Sequence, residues 1–187
     1  MLLRVLLLFV VSFSAAAGEN CRLDELHWPA EVELAGETLE LNGAGSRRHL
    51  FWDVYAAALY LPAPRQELQR VLGLPGPKRL ALHFLHAVSA DKLREGWRDG
   101  FRDNHSVSEL ANLSARLERS YQLLRGMADG DRILLDYLPG QGTRLTINGE
   151  EKAVIAGADF YAGILRIWIG SAPAQDRLRE CLLGRSV

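Results

Sequence analysis

The sequence lacks the short motifs that announce a nucleotide, a phosphate group or a catalytic metal. No Gly-x-Gly-x-x-Gly opens a helix, and there is neither a Gly-Lys-Ser/Thr loop nor a His-Glu-x-x-His pair. Asn42-Gly43-Ala44-Gly45-Ser46 looks like a phosphate cradle and reads as a glycine-rich turn. No helix follows it, so its amides lack the dipole that phosphate sites use. A charge of one sign is missing too. With 22 basic and 23 acidic residues and no basic stripe, a nucleic-acid partner is excluded. The histidines are His27, His49, His83, His86 and His105. His83 and His86 lie three apart on an expected strand and therefore point to opposite faces, which argues against a shared metal. No metal site and no cofactor are predicted. A single histidine ligating a haem iron is kept as an alternative.

Cysteine is scarce as well. Cys21 and Cys181 stand alone, with no Cys-x-x-Cys and no histidine at ligand spacing. In an oxidising compartment such a pair is expected to form a disulfide. It would close a loop of about 160 residues, with a chain-entropy contribution of roughly 5 kcal/mol.

What the chain does have begins at its first residue. Met1-Leu2-Leu3-Arg4 is short and positive, residues 5–13 are an apolar run with one serine, and Ala15-Ala16-Ala17 supplies small residues. That order reads as a secretory signal peptide over residues 1–17, and it predicts a periplasmic or secreted protein. The run is too short for a bilayer span, which takes about 20 apolar residues, so nothing transmembrane is expected after cleavage. Gly18-Glu19-Asn20 argues against a lipid anchor on Cys21. Residues 18–187 read as one domain.

Residues 30–41 alternate around Gly36-Glu37 as a hairpin. Residues 47–61 read as one long, bent strand closed by Pro62. Residues 64–72 suggest a short helix ended by Gly73, and 79–86 a strand. Ser89 can cap a helix to about residue 104, with Leu93, Trp97 and Phe101 spaced by four. A second helix is expected over 107–127, with Leu110, Leu113, Leu117, Tyr121 and Leu124 as its apolar stripe. Core packing is the plain reading of both stripes. Strands follow over 132–138, 143–147 and 152–156, the last two flanking Asn148-Gly149. Asp159 can cap a helix through residue 168, and Ser171 and Pro173 can start a last helix stopped by Gly184. Strands, helices, strands and helices give an α+β class, mostly antiparallel sheet with helices over one face.

Several segments, in order, resemble the chalcone isomerase-like family and its bacterial exported branch. They are Leu41-Asn42-Gly43-Ala44-Gly45-Ser46-Arg47 and Phe51-Trp52-Asp53-Val54-Tyr55-Ala56-Ala57-Ala58-Leu59-Tyr60-Leu61-Pro62, then Pro75-Gly76-Pro77-Lys78-Arg79-Leu80 and Gly130-Asp131. Tyr137-Leu138-Pro139-Gly140-Gln141-Gly142-Thr143, Asn148-Gly149, Asp159-Phe160, Ile167-Trp168-Ile169-Gly170 and Leu182-Leu183-Gly184 complete the set. The resemblance covers about residues 21–184. It implies an open-faced β-sandwich, a large antiparallel sheet under a layer of helices with a ligand cleft between them.

Family enzymes close a flavanone ring with a cation beside the developing enolate and a tyrosine–water arrangement that moves a proton. By that resemblance, the cation is Arg47 and the family's strand threonine falls at Tyr55. The helical Tyr-x-x-Lys-x-x-x-Asn segment falls on Trp97, Gly100 and Asn104. Trp97 has no hydroxyl and Gly100 no side chain, so acid–base help worth roughly 10²–10⁴-fold is missing. Non-catalytic relatives of this fold bind fatty acids. The leading expectation is therefore binding of a small apolar or lipid-like ligand with an anionic group. Arg47 would anchor the anion through its forked donors. Tyr55 and Asn104 would be polar contacts, and Trp97 and Phe101 the wall. A chalcone isomerase-type isomerase is the enzyme alternative. A scaffold, with Arg47 paired to Asp53 or Glu40, is the plainest one.

Overall fold

A computed structural model of the chain describes Cys21 and residues 26–185; the signal peptide read over residues 1–17 lies outside them. Among the described residues seven antiparallel strands form one sheet in chain order. They are β1 (Glu31–Leu34), β2 (Glu37–His49), β3 (Trp52–Leu61), β4 (Lys78–Phe84), β5 (Arg132–Leu138), β6 (Gly142–Ile147) and β7 (Glu150–Ile155). Among the described residues five helices accompany them: α1 (Leu68–Leu72), α2 (Ala90–Asn104), α3 (Val107–Leu123), α4 (Ala158–Ile169) and α5 (Asp176–Leu182). The α+β class and the large antiparallel sheet under a helix layer are as the sequence predicts.

Strand alternation sorts the side chains. Tyr55, Ala57, Leu59 and Leu61 of β3 face the helices, as do Leu80, Leu82 and Phe84 of β4 and Ile133 and Leu135 of β5. They meet α4, whose Phe160, Ile164, Leu165, Ile167 and Trp168 are buried. The opposite face carries a smaller cluster of Leu34, Leu39, Ala58, Tyr60 and Leu138. Beside it runs an ion row in cross-strand register, Arg79, Asp136 and Arg144. Asp136, fully buried, accepts from Arg79 at 2.6 and 2.9 Å and from Arg144 at 2.8 Å.

Local signals explain several element ends. The Ser89 side chain accepts from the Lys92 amide at the start of α2. Ser106 and Glu109 form a reciprocal capping box at the start of α3. Asn148 and Gly149, with φ of 51° and 81°, turn β6 into β7.

Other boundaries differ from the expectation. The long strand over 47–61 is two strands, because the chain reverses at Leu50 and Phe51. Asp159 sits inside the first turn of α4 and binds Arg116, while Gly157 holds the cap position. The last helix starts at Asp176, after Gln175, instead of at Ser171. The second long helix stops at Leu123, and Met127 pairs instead with Val88 in a short bridge.

The 42–46 segment is not a turn. It is the interior of β2, and its glycines serve a close approach by α5. A Cβ at Gly43 would collide with the Cys181 carbonyl, and one at Gly45 would lie 2.8 Å from the Cys181 Cβ. Asn42 occupies a bulge in β2 and fastens the contact, donating to the Leu182 carbonyl and accepting from the Arg65 amide, both at 2.6 Å. The Cys21–Cys181 disulfide joins the two ends of the chain at this spot.

Candidate functional site

A cavity of about 500 Å³ opens between the first three long strands and the helices α2 and α4. Its floor follows from register. Arg47 on β2 lies opposite Tyr55 on β3, which lies opposite Phe84 on β4, so the three side chains form one row on the helix-facing side. A second bulge separates Arg47 from Arg48 and leaves Val54 without a partner on β2. Val54 and Tyr55 are neighbours in sequence, yet both line the cavity. Arg48 turns away to Asp53.

The far wall comes from the helices. Trp97 of α2 and Trp168 of α4 meet edge to face, with centroids 5.9 Å apart. Leu93 and Ile167 add aliphatic surface, and His49 stands at the β2 end.

Donors dominate the polar groups. The Arg47 side chain is half-buried and makes no hydrogen bond or ion pair with any described residue. The scaffold pairing fails on this point. Asp53 accepts from the Ser46 hydroxyl at 2.6 Å and from Arg48 at 3.4 Å, not from Arg47. Tyr55 is buried, and its hydroxyl oxygen accepts from the Trp168 indole N–H at 2.9 Å, which leaves its own proton to give. Burial pushes the Tyr55 hydroxyl pKa up, against the pull of Arg47. The Trp97 Nε1 is buried with no acceptor. An orphan donor of this kind costs about 1–3 kcal/mol. Two carboxylates also line the cavity, but each already has a cation. Glu95 binds Lys92 at 2.8 Å, and Asp99 binds Arg102 at 2.7 Å. The cavity therefore sets the Arg47 and Tyr55 donors over an aromatic and aliphatic wall, with its two carboxylates exposed and paired to cations.

Three of the five predicted residues, Arg47, Tyr55 and Trp97, come together here. The other two do not. Phe101 is fully buried one turn beyond Trp97, stacked between His105 and Phe160. Asn104 lies at the C-terminal end of α2, where it donates to the Gly100 and Ala172 carbonyls and accepts from the Ala172 amide. It ties α2 to the α4–α5 connection. Both belong to the packing of α2 on α4. Gly100 belongs there too, since a Cβ would fall 2.7 Å from the Ile167 side chain. No lysine fits at that position.

The residue that sequence reasoning missed is Trp168. It lies inside a quoted segment, but its bond to Tyr55 joins positions 113 apart, and no local signal carries it.

A second cavity of about 320 Å³ lies near Lys78, Tyr137 and Tyr161. Its ammonium is already engaged, because Lys78 donates to the Leu74 and Gly76 carbonyls. Among the described residues no cluster of three or more His, Cys, Asp or Glu could hold a metal ion, and no helix is long and apolar enough to cross a membrane.

No curated protein matches the chain by sequence. In fold it is similar to a fatty-acid binding protein of Arabidopsis thaliana, with a TM-score of 0.61 and 17% identity, over 83% of this chain and 90% of that one. The sequence itself matches the chalcone isomerase-like family over residues 21–184, and the chain belongs to that family.

Proposed function

We propose that the chain binds an apolar ligand with an anionic head, of fatty-acid type, between sheet and helices, and does not turn it over. One observation carries this reading. Arg47, whose guanidinium has no partner among the described residues, Tyr55, whose hydroxyl has a proton to give, and Trp97, whose indole N–H is buried without an acceptor, all line one aromatic cavity. A carboxylate supplies the acceptors those donors lack. The acyl chain would run along Phe84, Leu93 and Ile167. The similarity in fold to a protein described as binding fatty acids supports the same choice. Against isomerase chemistry stand Trp97, which carries no hydroxyl, and Gly100, where Ile167 leaves no room for a side chain.

We further read the protein as exported, periplasmic or secreted. The Cys21–Cys181 disulfide supports this, since such bonds persist in oxidising compartments.

The test is mass spectrometry of lipids extracted from the purified protein and from an Arg47→Ala variant. Wild type is expected to carry fatty acids, and the variant little or none. Equal ligand content in the two would remove Arg47 from its role. A chalcone absorbance assay is expected to show no acceleration over buffer; clear turnover would restore the enzyme alternative.

A further inference from the structure

The β2–β3 hairpin ends in three consecutive exposed apolar side chains. Leu50 is 75% exposed, Phe51 90% and Trp52 63%. Among the described residues only Val107 is a comparably exposed large hydrophobe. Neither folding nor burial accounts for the tip. Leu50 has a φ of 53°, in the left-handed region where glycine or asparagine serves a turn at lower cost. A leucine there loses backbone energy and gains no core contact.

The tip also continues the wall of the cavity. Arg47 and His49 of the same hairpin line it on one side, and Val54 on the other. The base of the tip is braced: Trp52 packs on His86 with ring centroids 5.4 Å apart, and the His86 Nδ1 bonds the Asp53 carbonyl at 2.9 Å. A braced apolar loop beside a ligand opening has the form of an interfacial anchor. Tryptophan suits the boundary between headgroups and acyl chains, and flanking long cations keep their heads in water.

We propose that this tip docks on the surface of a phospholipid bilayer and sets the cavity mouth against it. The inference rests on the proposed amphiphilic ligand, because a membrane is where such a ligand is exchanged. The tip is too small for a stable protein partner. Three side chains of this kind offer roughly 500 Å² at most, against about 800 Å² per partner in a typical stable interface. Charge adds little. Arg48 faces Asp53 on the hairpin, and of the charged residues lining the cavity Lys92 and Glu95 pair with each other and Asp99 with Arg102, which leaves Arg47 as the single unpaired cation among the described lining residues. Docking is therefore driven by apolar insertion and depends only weakly on salt.

The experiment is flotation of the full-length mature protein with phosphatidylcholine vesicles at low and high salt. A Leu50→Ser/Phe51→Ser/Trp52→Ser variant and the single Phe51→Ser variant are compared with a Val107→Ser control. Wild type and V107S are expected to float, with less than twofold change across salt. The triple variant is expected to lose at least tenfold, and F51S several-fold. Binding of a dansyl-labelled fatty acid in vesicle-free buffer is expected to be the same in wild type and the triple variant, which separates docking from the cavity. Loss of probe binding by wild type with flotation intact would sink the cavity reading and leave the docking standing. Wild type that stays with the unbound fraction, or a triple variant that floats equally well, overturns the proposal. So does a wild-type dimer, seen by sedimentation, that the triple variant abolishes in the absence of vesicle binding; the tip would then serve a second copy.

Discussion

Replacing Trp97 by phenylalanine is expected to have opposite effects on the ligand-free and ligand-bound protein. In the free protein the Trp97 N–H is buried without an acceptor, and removing it relieves about 1–3 kcal/mol. The smaller ring buries about two fewer carbons, a loss of roughly 1.5 kcal/mol at ~0.8 kcal/mol each. The edge contact with Trp168 shrinks with it. The terms nearly cancel, so Trp97→Phe is expected to change ligand-free stability by no more than ~1.5 kcal/mol. In the complex the N–H would meet a carboxylate. A hydrogen bond to a charged group contributes about 1.5–3 kcal/mol, so affinity is expected to fall roughly 10- to 150-fold. Urea denaturation of delipidated protein reads the first quantity, and displacement of a fluorescent fatty acid reads the second. A variant destabilised by about 3 kcal/mol or more with unchanged affinity would refute the reasoning and make Trp97 a packing residue only.

Three further outcomes follow from features outside the cavity. Replacing Cys21 and Cys181 by serine removes the closure of the long loop, and is expected to cost about 2–5 kcal/mol and lower Tm by roughly 4–20 °C in a thermal melt; an unchanged Tm would show that the ends are held without it. Asp136→Asn leaves Arg79 and Arg144 facing a neutral amide at a fully buried position, with an expected loss of about 3 kcal/mol by chemical denaturation. A loss under ~1 kcal/mol would mean that solvent already screens the row. The Glu109 carboxyl is held down to about 2 by the Ser106 amide, then by Arg166 and the Ser106 hydroxyl. Its folded pKa lies below its ordinary value, so its contribution is complete above about pH 4.5 and is lost as pH falls toward about 2. Melts across that window are expected to fall more steeply for wild type than for Glu109→Gln, and parallel curves would contradict the capping role.

Much of the architecture is local chemistry, and that part was legible. Ser89 and Ser106 mark helix starts because a side-chain oxygen meets free amides within three residues. Asn148-Gly149 marks a hairpin because both residues accept positive φ. The rest depends on what arrives from far along the chain. The glycines at 43 and 45 read as a turn in the sequence, but they are small because α5 lies on them. Trp97 and Phe101 share a helix face, yet one helical turn of about 5 Å carries Phe101 past the cavity into the contact with α4. Arg47 and Tyr55 were found by resemblance. Their common face depends on a reversal at Leu50 and a bulge at Val54, and the expectation of one continuous strand missed both.

The seven strands lie in the same order in space as along the chain. Each strand pairs with its immediate predecessor, so the sheet can grow by successive neighbour addition, and most of its loop closures are short. The helices α2 and α3, inserted between β4 and β5, are the one long interruption. The contact that spans nearly everything is α5 on β2, where Asn42 and Leu182 bond across 140 residues. Loop-closure entropy concentrates on that step. We expect the disulfide to follow the rest of the fold in time: in refolding from the reduced state, sheet signals should appear before the thiols are consumed. Oxidation that precedes the sheet would invert this order.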